Sequence, residues 1–280
     1  MAGTLFIVAT PIGNLADFSE RGITTLRNVA VVYAEDTRHS RVLLDHFGIA
    51  TPLRSLHEHN EAARSAEVQA ALERGDDVAL LTDAGTPAVS DPGAEVVRRL
   101  AASAAQVTPI PGASALTAAL SVAGFPVGEA GVWFIEFLPS KGSERAATVA
   151  AVVAHPGVVV FFEAPHRLAA ALRALATLQP TREACACREL TKMHEEVRRG
   201  TLAQLAEWAE AIEPRGELTL VLGPFALPHV PPEEAAIDAA LGRCLDAGLS
   251  ARDAATAVAA MLELPRRLVY GRCQKLRHES

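Results

Sequence analysis

"LTDAGTPAVSDPG", Leu81 to Gly93, follows the apolar run Val78–Leu80 and packs two Asp, two Gly and two Pro into one short stretch. A plain surface turn needs one or two such residues. Pro87 and Pro92 preset φ, while Gly85 and Gly93 permit conformations closed to other residues. The stretch therefore reads as a buried strand followed by a loop whose main chain is shaped in advance. In open α/β sheets, ligands sit beyond the carboxyl ends of the strands, where loops need this close backbone approach. Ser90 and Asp91 add side-chain acceptors.

Two more Gly/Pro loops follow apolar runs in the first half, "TPIGN" (Thr10–Asn14) and "PGASA" (Pro111–Ala115). None is a phosphate cradle. There is no G-x-x-x-x-G-K-[ST], and no G-x-G-x-x-G opening a helix, which disfavours a triphosphate or dinucleotide enzyme. The spacing predicts strands near Thr4–Ala9, Val29–Ala34, Val78–Thr82 and Val107–Ile110. A second series falls near Gly131–Phe137, Gly157–Glu163, Ala184–Leu190 and Leu218–Leu222. Helical patterns lie between them, at Asn60–Arg74, Ala94–Ala104, Ser114–Val122, Ser143–Ala154, Arg167–Thr177 and Leu202–Ala211. Such alternation favours α/β layers.

The boundaries follow from composition. "SVAGFPVG" (Ser121–Gly128) separates the two series, giving an N-terminal α/β domain at 1–122 and a C-terminal one at 123–225. Four prolines in "GPFALPHVPPEE" make a stiff linker, 226–232. Residues 233–280 then read as purely helical. "SARDAATAVAAML" opens with a Ser250-x-x-Asp253 cap and "PRRLVYGRCQKL" on Pro265 at a first-turn position, a helix-turn-helix pattern. The last helix gathers Arg266, Arg267, Arg272, Lys275 and Arg277. A solvated face and a nucleic-acid contact both fit that charge.

The chain has 280 residues, half of them hydrophobic, and a net charge of −7, so no general basic coat covers it. A local patch remains possible because salt limits surface fields to about 8–10 Å. No apolar run reaches the roughly 18 residues of a membrane span, and the start lacks a basic signal region, so a soluble cytoplasmic protein is expected. Cys185 and Cys187 form a C-x-C pair, which on a strand puts both thiols on one face. Without a second pair, metal binding is not expected.

Other polar clusters carry candidate chemistry. "YAEDTRHSR" (Tyr33–Arg41) and "LHEHNE" (Leu56–Glu61) belong to the first half; H-x-H with no third ligand is a weak metal signal, and Asn60 also fits a helix N-cap. "FLPSKGSER", "FFEAPHR" and "CRELTKMHEEVRRG" each follow a strand in the second half. Glu163 in "FFEAPHR" either caps a helix or pairs with Arg167.

These segments together resemble the ribosomal RNA small subunit methyltransferase I family of the tetrapyrrole methylase superfamily. The resemblance rests on "VATPIGNLADFSERG", "AEDTRHSRVLLDHFGI", "HEHNE", "LLTDAGTPAVSDPG", "PIPGASA", "FFEAPHRL", "RELTKMHEEVRRGTL" and "RGELTLVLGP", from Phe6 to Pro224, and the basic helical tail is similar to that family's last module. One departure stands out: the family has a Gly before "FLP", where this chain has Glu136.

The resemblance implies two α/β domains of the tetrapyrrole methylase type with a cofactor cleft between them, plus the small helical module. It implies S-adenosylmethionine as cofactor, a homodimer, and 2′-O-methylation of a cytidine in the decoding region of 16S ribosomal RNA in the small ribosomal subunit. By matching motif, the cofactor would meet Pro11, Gly13, Ala84, Gly85, Thr86, Pro87, Ser90, Asp91, Gly112, Ser114 and Ala115. Leu138, Glu163, Ala164, Pro165, Arg188, Glu189 and Leu190 would join from the second domain. That cofactor carries no phosphate, which suits rigid Gly/Pro main chain better than an anion loop.

Removing a proton from the hydroxyl calls for a base, and Asp36, Glu58, His59 and Lys192 are the candidates, Lys192 only if burial lowers its pKa. Arg38, Arg41, Glu58, Asn60, Arg266, Arg267, Arg272 and Lys275 are expected on the RNA side. Two other readings stay open here: C-methylation of a corrin precursor, and a non-enzymatic regulator that senses a metabolite and binds nucleic acid.

Overall fold

The computed structural model describes residues 2–57, 59–101, 105–212, 215–225, 234–262 and 264–279. Contacts divide the chain into two compact units, 1–225 and 226–280. The first unit holds two five-stranded sheets.

The first sheet contains β1 (Thr4–Val8), β2 (Val31–Ala34), β3 (Leu53–Ser55), β4 (Val78–Leu81) and β5 (Gln106–Ile110), in the order β3-β2-β4-β1-β5, every pair parallel. Central β4 is buried at all four positions, which is why its sequence is a continuous apolar run rather than an alternating one. The helices α1 (Glu20–Asn28), α2 (Thr37–His46), α3 (Glu61–Glu73) and α4 (Ala94–Ala101) make the crossovers. Two of them, α1 and α2, escaped the sequence reading, along with the short edge strand β3. Their starts were nonetheless written locally: Ser19 Oγ accepts the Gly22 N–H at 3.0 Å, and Asp36 Oδ1 accepts the Arg38 N–H at 2.8 Å.

The second sheet contains β6 (Val132–Phe137), β7 (Val158–Glu163), β8 (Glu183–Arg188), β9 (Glu196–Thr201) and β10 (Leu218–Leu222), ordered β6-β7-β10-β8-β9. Only β6 and β7 run parallel; the other pairs are antiparallel. Strand β9, "EVRRGT", was not among the strands expected from the sequence. It is a polar edge strand, paired on one side only, so no apolar alternation marks it. Three helices, α6 (Gly142–Ala154), α7 (Leu168–Leu178) and α8 (Leu202–Ala211), contribute to this half's main core.

The helix between the sheets, α5 (Ala115–Ala123), decides how the halves meet. Its sequence, ALTAALSVA, is apolar nearly all round, as expected of a helix with neighbours on several sides. Ala119 and Ala123 share a buried cluster with Ile12 of the first half and with Val158, Val160, Cys185, Cys187, Leu190 and Val221 of the second. A helix assigned from sequence to the first domain thus packs on the second sheet. Both thiols do point to one face, with Cys185 and Cys187 Sγ 3.7 Å apart in that cluster.

The second unit consists of α9 (Glu234–Asp246), α10 (Ala251–Met261) and α11 (Arg266–Glu279) around Ile237, Leu241, Ala255, Val258, Val269 and Cys273. Ser250 caps α10 by accepting the Asp253 N–H at 3.2 Å. The expected linker lies outside the described residues. Among the described residues no helix is long and apolar enough to cross a membrane.

A buried arginine ties the second sheet's ends together. Arg182, 4% exposed, donates to the carbonyls of Gly223 (2.8 Å), Gly157 (2.8 Å) and Val152 (3.0 Å), with its guanidinium 5.4 Å from the Phe225 ring centroid. Burial pulls its pKa down to about 10, so it stays charged at neutral pH. Arg182→Leu strands three carbonyls, each costing about 1–3 kcal/mol, so the first unit should lose several degrees in a thermal melt. Arg182→Lys, with a single nitrogen to share, should recover only part of that loss.

Candidate active site

The carboxyl ends of the first sheet's strands meet the ends of β6 and β7 and the start of β10 at one place. There, Thr10 after β1 and Gly85 after β4 form a two-way backbone bridge: Thr10 N–H to Gly85 O at 2.8 Å, and Gly85 N–H to Thr10 O at 3.1 Å. The Thr10 hydroxyl also donates to Thr82 O at 3.2 Å. Beyond this clip the 83–93 loop holds Gly85, Ala88, Ser90 and Gly93 at φ of 85°, 66°, 63° and 126°. Ala88 and Ser90 therefore sit where side chains are disfavoured. The loop is anchored from behind by Glu61, whose Oε1 accepts the N–H groups of Gly93 (3.0 Å), Glu95 (3.1 Å) and Val96 (3.3 Å) at the start of α4.

A cavity of about 320 Å³ opens between the two halves. Ala84, Gly85, Thr86, Ser90, Asp91, Ser114 and Ala115 line it from the first half; Glu163, Ala164 and Pro165 line it from the second. Ten expected cofactor residues are thus brought together. Sequence reasoning missed Ile12, Val89, Phe137, Phe162 and the Gly216–Thr219 strand entry, which also face the space. The aromatic pair in "FFEAPHR" was the available signal for Phe162.

Pro11 and Gly13 line a second cavity of about 310 Å³, which borders the first at Ile12, Ala84 and Glu217. The remaining expected residues support the walls without lining either space. Pro87 is buried within its loop. Gly112 lets the loop after β5 press on Ala9, whose Cβ would lie 3.0 Å from an added Cβ. Leu138, 1% exposed, belongs to the second half's core rather than the pocket, and Leu190 to the cluster that joins the halves. Arg188 pairs with Glu196 at 3.0 Å. Glu189, at φ 51°, exchanges bonds with Glu217: its Oε1 accepts the Glu217 N–H at 2.8 Å, and its own N–H meets Glu217 O at 2.9 Å.

Glu136 stands at φ 54° where β6 shifts register between Phe134 and Phe137. A bulge with a left-handed residue is a glycine position. Here it carries a carboxylate, and it delivers Phe137 to the cavity mouth, with its ring 5.6 Å from that of Phe162.

Burial and charge shape the polar wall. Glu163, fully buried in its side chain, pairs with Arg167 at 3.0 Å and accepts the Ala164 N–H at 2.9 Å; the helical turn that follows has no side-chain cap, so the ion-pair reading holds and the capping one does not. Burial pushes its pKa up, opposed by those two partners. Burial likewise raises Asp91 to about 6, helped by the nearby carboxylates Glu35, Asp83 and Glu136 and opposed by Thr82. The Ser90 hydroxyl is buried and has no hydrogen-bond partner among the described residues.

The expected bases fare differently. Arg38 grips both Asp36 oxygens, at 3.3 and 3.0 Å, and holds its pKa down at about 2, and Asp36 lines neither cavity. A carboxylate so held is a poor proton acceptor. His59 is exposed and lines neither cavity, and Glu58 lies outside the described residues. Lys192 does reach the second cavity, but Glu189 (2.9 Å) and Glu217 (3.3 Å) flank it and raise its pKa despite partial burial. It is an ammonium, not a base. Asn60 turns its side chain back to accept the His57 N–H at 2.9 Å, and Arg41 reaches Asp45 at 3.8 Å. Among the described residues no cluster of His, Cys, Asp or Glu is arranged for a metal.

Known proteins match this architecture. The model of the Tetrapyrrole (Corrin/Porphyrin) Methylases matches residues 4–206. A Pseudomonas aeruginosa protein named ribosomal RNA small subunit methyltransferase I is 43% identical over 278 residues, covering 96% of each chain. The chain belongs to this group of tetrapyrrole methylases. A Synechocystis protein of the same name is 40% identical, again over 96% of both chains. Among solved structures of the methylase fold, a cobalt precorrin-4 methyltransferase superposes with a TM-score of 0.60 at 14% identity, covering 79% of this chain and 94% of that one. A Thermus thermophilus uroporphyrin-III C-methyltransferase, complexed with S-adenosyl homocysteine, gives 0.54 at 18%, covering 79% and 97%.

The raised Asp91 pKa has a defined consequence for stability. A carboxyl whose folded pKa lies above its unfolded value stabilises the fold fully below the unfolded pKa, near 3.8, and that contribution is lost as pH rises through about 6. Asp91→Asn, which never ionises, should therefore melt higher than the native protein at pH 8 and close to it at pH 4. Thermal melts at the two pH values measure the difference.

Proposed function

We propose that this methylase uses S-adenosylmethionine to methylate the 2′-hydroxyl of a cytidine in the decoding region of 16S ribosomal RNA. The observation that carries the cofactor assignment is the cavity between the halves. Its fit is chemical: aromatic faces at Phe137 and Phe162, a buried Ser90 hydroxyl without a partner, backbone made accessible by Gly85, and acidic groups at Asp91 and Glu217 suited to a cationic ligand. Among the described residues no lysine or arginine lines the cavity, as suits a ligand without phosphate. When bound, the cofactor supplies an electrophilic methyl group.

The residues of the chain would do the rest. Glu163 holds the Ala164–Pro165 wall in place, Glu189 holds the Glu217 turn, and the Thr10–Gly85 clip fixes the floor. Walls that need no rearrangement preserve the alignment from which most of the rate of an in-line transfer derives. The RNA assignment rests on relatives that match over nearly their whole length, whereas the corrin and porphyrin enzymes are alike in fold alone. Methylation of a macrocycle is accordingly the weaker reading.

The helical unit supports contact with RNA in a selective way. Arg266, Arg267 and Arg252 surround a hollow of about 490 Å³ together with Tyr270, and Lys275 is exposed. Arg272, expected to join them, instead binds Asp238 at 2.5 Å and Glu234 at 2.7 Å and so holds α11 to α9.

Two measurements test these assignments. Labelled methyl transfer to small subunits lacking the modification should yield an alkali-resistant 2′-O-methylcytidine; label on a base would refute the ribose assignment. Arg266→Ala with Arg267→Ala should weaken subunit binding and reduce the slope of log K against log salt by roughly two, about one per lost phosphate contact. Affinity for S-adenosylhomocysteine should not change.

A further inference from the structure

We infer that the second cavity receives the acceptor nucleotide and that His39, on α2, takes the proton from its hydroxyl. The inference rests on the proposed ribose methylation and names the substrate pocket of that site.

The first argument is placement. Donor and acceptor atoms must approach to about 3–3.5 Å in line, so the acceptor pocket has to share a wall with the cofactor cavity. The second cavity does so at Ile12, Ala84 and Glu217, and both halves of the protein enclose it. A wider hollow of about 850 Å³ also touches the cofactor cavity, at Pro165 and Gly216. It is built from the second half alone, with Arg173 and Glu210 paired at 2.6 Å along its wall.

The second argument is the lining. Among the described residues four titratable side chains reach this cavity: His39, Asp83, Lys192 and Glu217. Lys192 and Glu217 are committed to one another at 3.3 Å, and Asp83 accepts the Asp36 N–H at 3.2 Å. The His39 imidazole meets no hydrogen-bond partner among the described residues. Asp36 and Arg38 stand near it on its own segment, while Asp83, Lys192 and Glu217 face the same space from elsewhere. A neutral imidazole is the side chain best suited to accept a proton near neutral pH.

The third argument is the rim. Leu15 (39% exposed) and Val42 (71%) line the mouth, and Met193, beside Lys192, is 93% exposed. Apolar side chains held in water at a pocket entrance are what a nucleotide turned out of its stack needs, both as a wedge and as a surface for its base. In the reaction the hydroxyl proton passes to a ring nitrogen of His39 and then to solvent. The oxygen lone pair forms the new bond to the methyl carbon while that carbon's bond to the donor sulfonium breaks; the bonding pair stays on sulfur, which would leave as the neutral thioether of S-adenosylhomocysteine.

Small ribosomal subunits lacking the modification serve as the probe for full-length variants. His39→Gln should lower the single-turnover rate by about 10²–10⁴-fold. Its co-sedimentation with subunits in the presence of S-adenosylhomocysteine should stay within about twofold, well under the 1.4 kcal/mol of a tenfold change. Val42→Trp, on an exposed helix face, should raise KM for subunits about tenfold, with calorimetric affinity for S-adenosylhomocysteine unchanged. His166→Gln, in the wide hollow, should behave as the native protein. If His39→Gln keeps its rate, or His166→Gln shows the loss instead, the pocket assignment falls while ribose methylation stands. If the native protein modifies no ribosomal RNA, the functional reading fails and takes the pocket with it.

Discussion

The reciprocal backbone pair between Thr10 and Gly85 is the constraint on which the site depends. Parallel strands end with their last backbone groups unpaired, and each loop leaving them must find partners or water. Here two loops satisfy each other directly above the sheet. That contact closes the floor where the two cavities share Ile12 and Ala84. The same clip makes glycine necessary at position 85, since φ is 85° there, and it sets the starting point from which Ala88 and Ser90 take up left-handed conformations. Such strain persists only where the surroundings enforce it. Glu61 enforces it from one end by gathering the N–H groups that start α4.

The second requirement is that the opposite wall stay in register with this floor. Helix α5 meets it by contributing to a buried cluster with residues of both halves, so the cleft is bounded by one continuous packed core. Arg199 strengthens the join by donating to Ala123 O at 3.2 Å, at the end of α5. Side chains on the far wall then become fixed reference points. Glu163, Glu189 and Arg167 each satisfy backbone groups beside the cavity.

Acidic groups gather at the site. Asp91 of the first cavity and Asp83 of the second crowd together with Glu35 and Glu136, and burial raises Glu35 and Asp91. Around the second, Lys192 is surrounded by Glu189 and Glu217 and remains cationic. An acidic wall favours a positively charged ligand, and its own repulsion lowers the stability of the empty protein, a common trade at binding sites.

How much of this was legible in the sequence differs by kind of feature. The central strands and the three Gly/Pro loops were readable because burial on both faces and left-handed turns demand particular residue types locally; "VALL" and "DAG" meet those demands by themselves. Ten expected cofactor residues proved to share one cavity for the same reason, since each motif sits at a strand end. The sequence could not show that β9 pairs at the edge, that α5 belongs to both halves, or that Arg272 turns inward to Asp238. Nor could it show that Arg38 disables Asp36 while His39, one residue on, faces a cavity. A conformational preference belongs to a residue and its neighbours in the chain, so sequence alone determines it. Which charges neutralise each other, and which polar atoms are left free, depends on distances between segments far apart in the chain, and only the tertiary structure decides those.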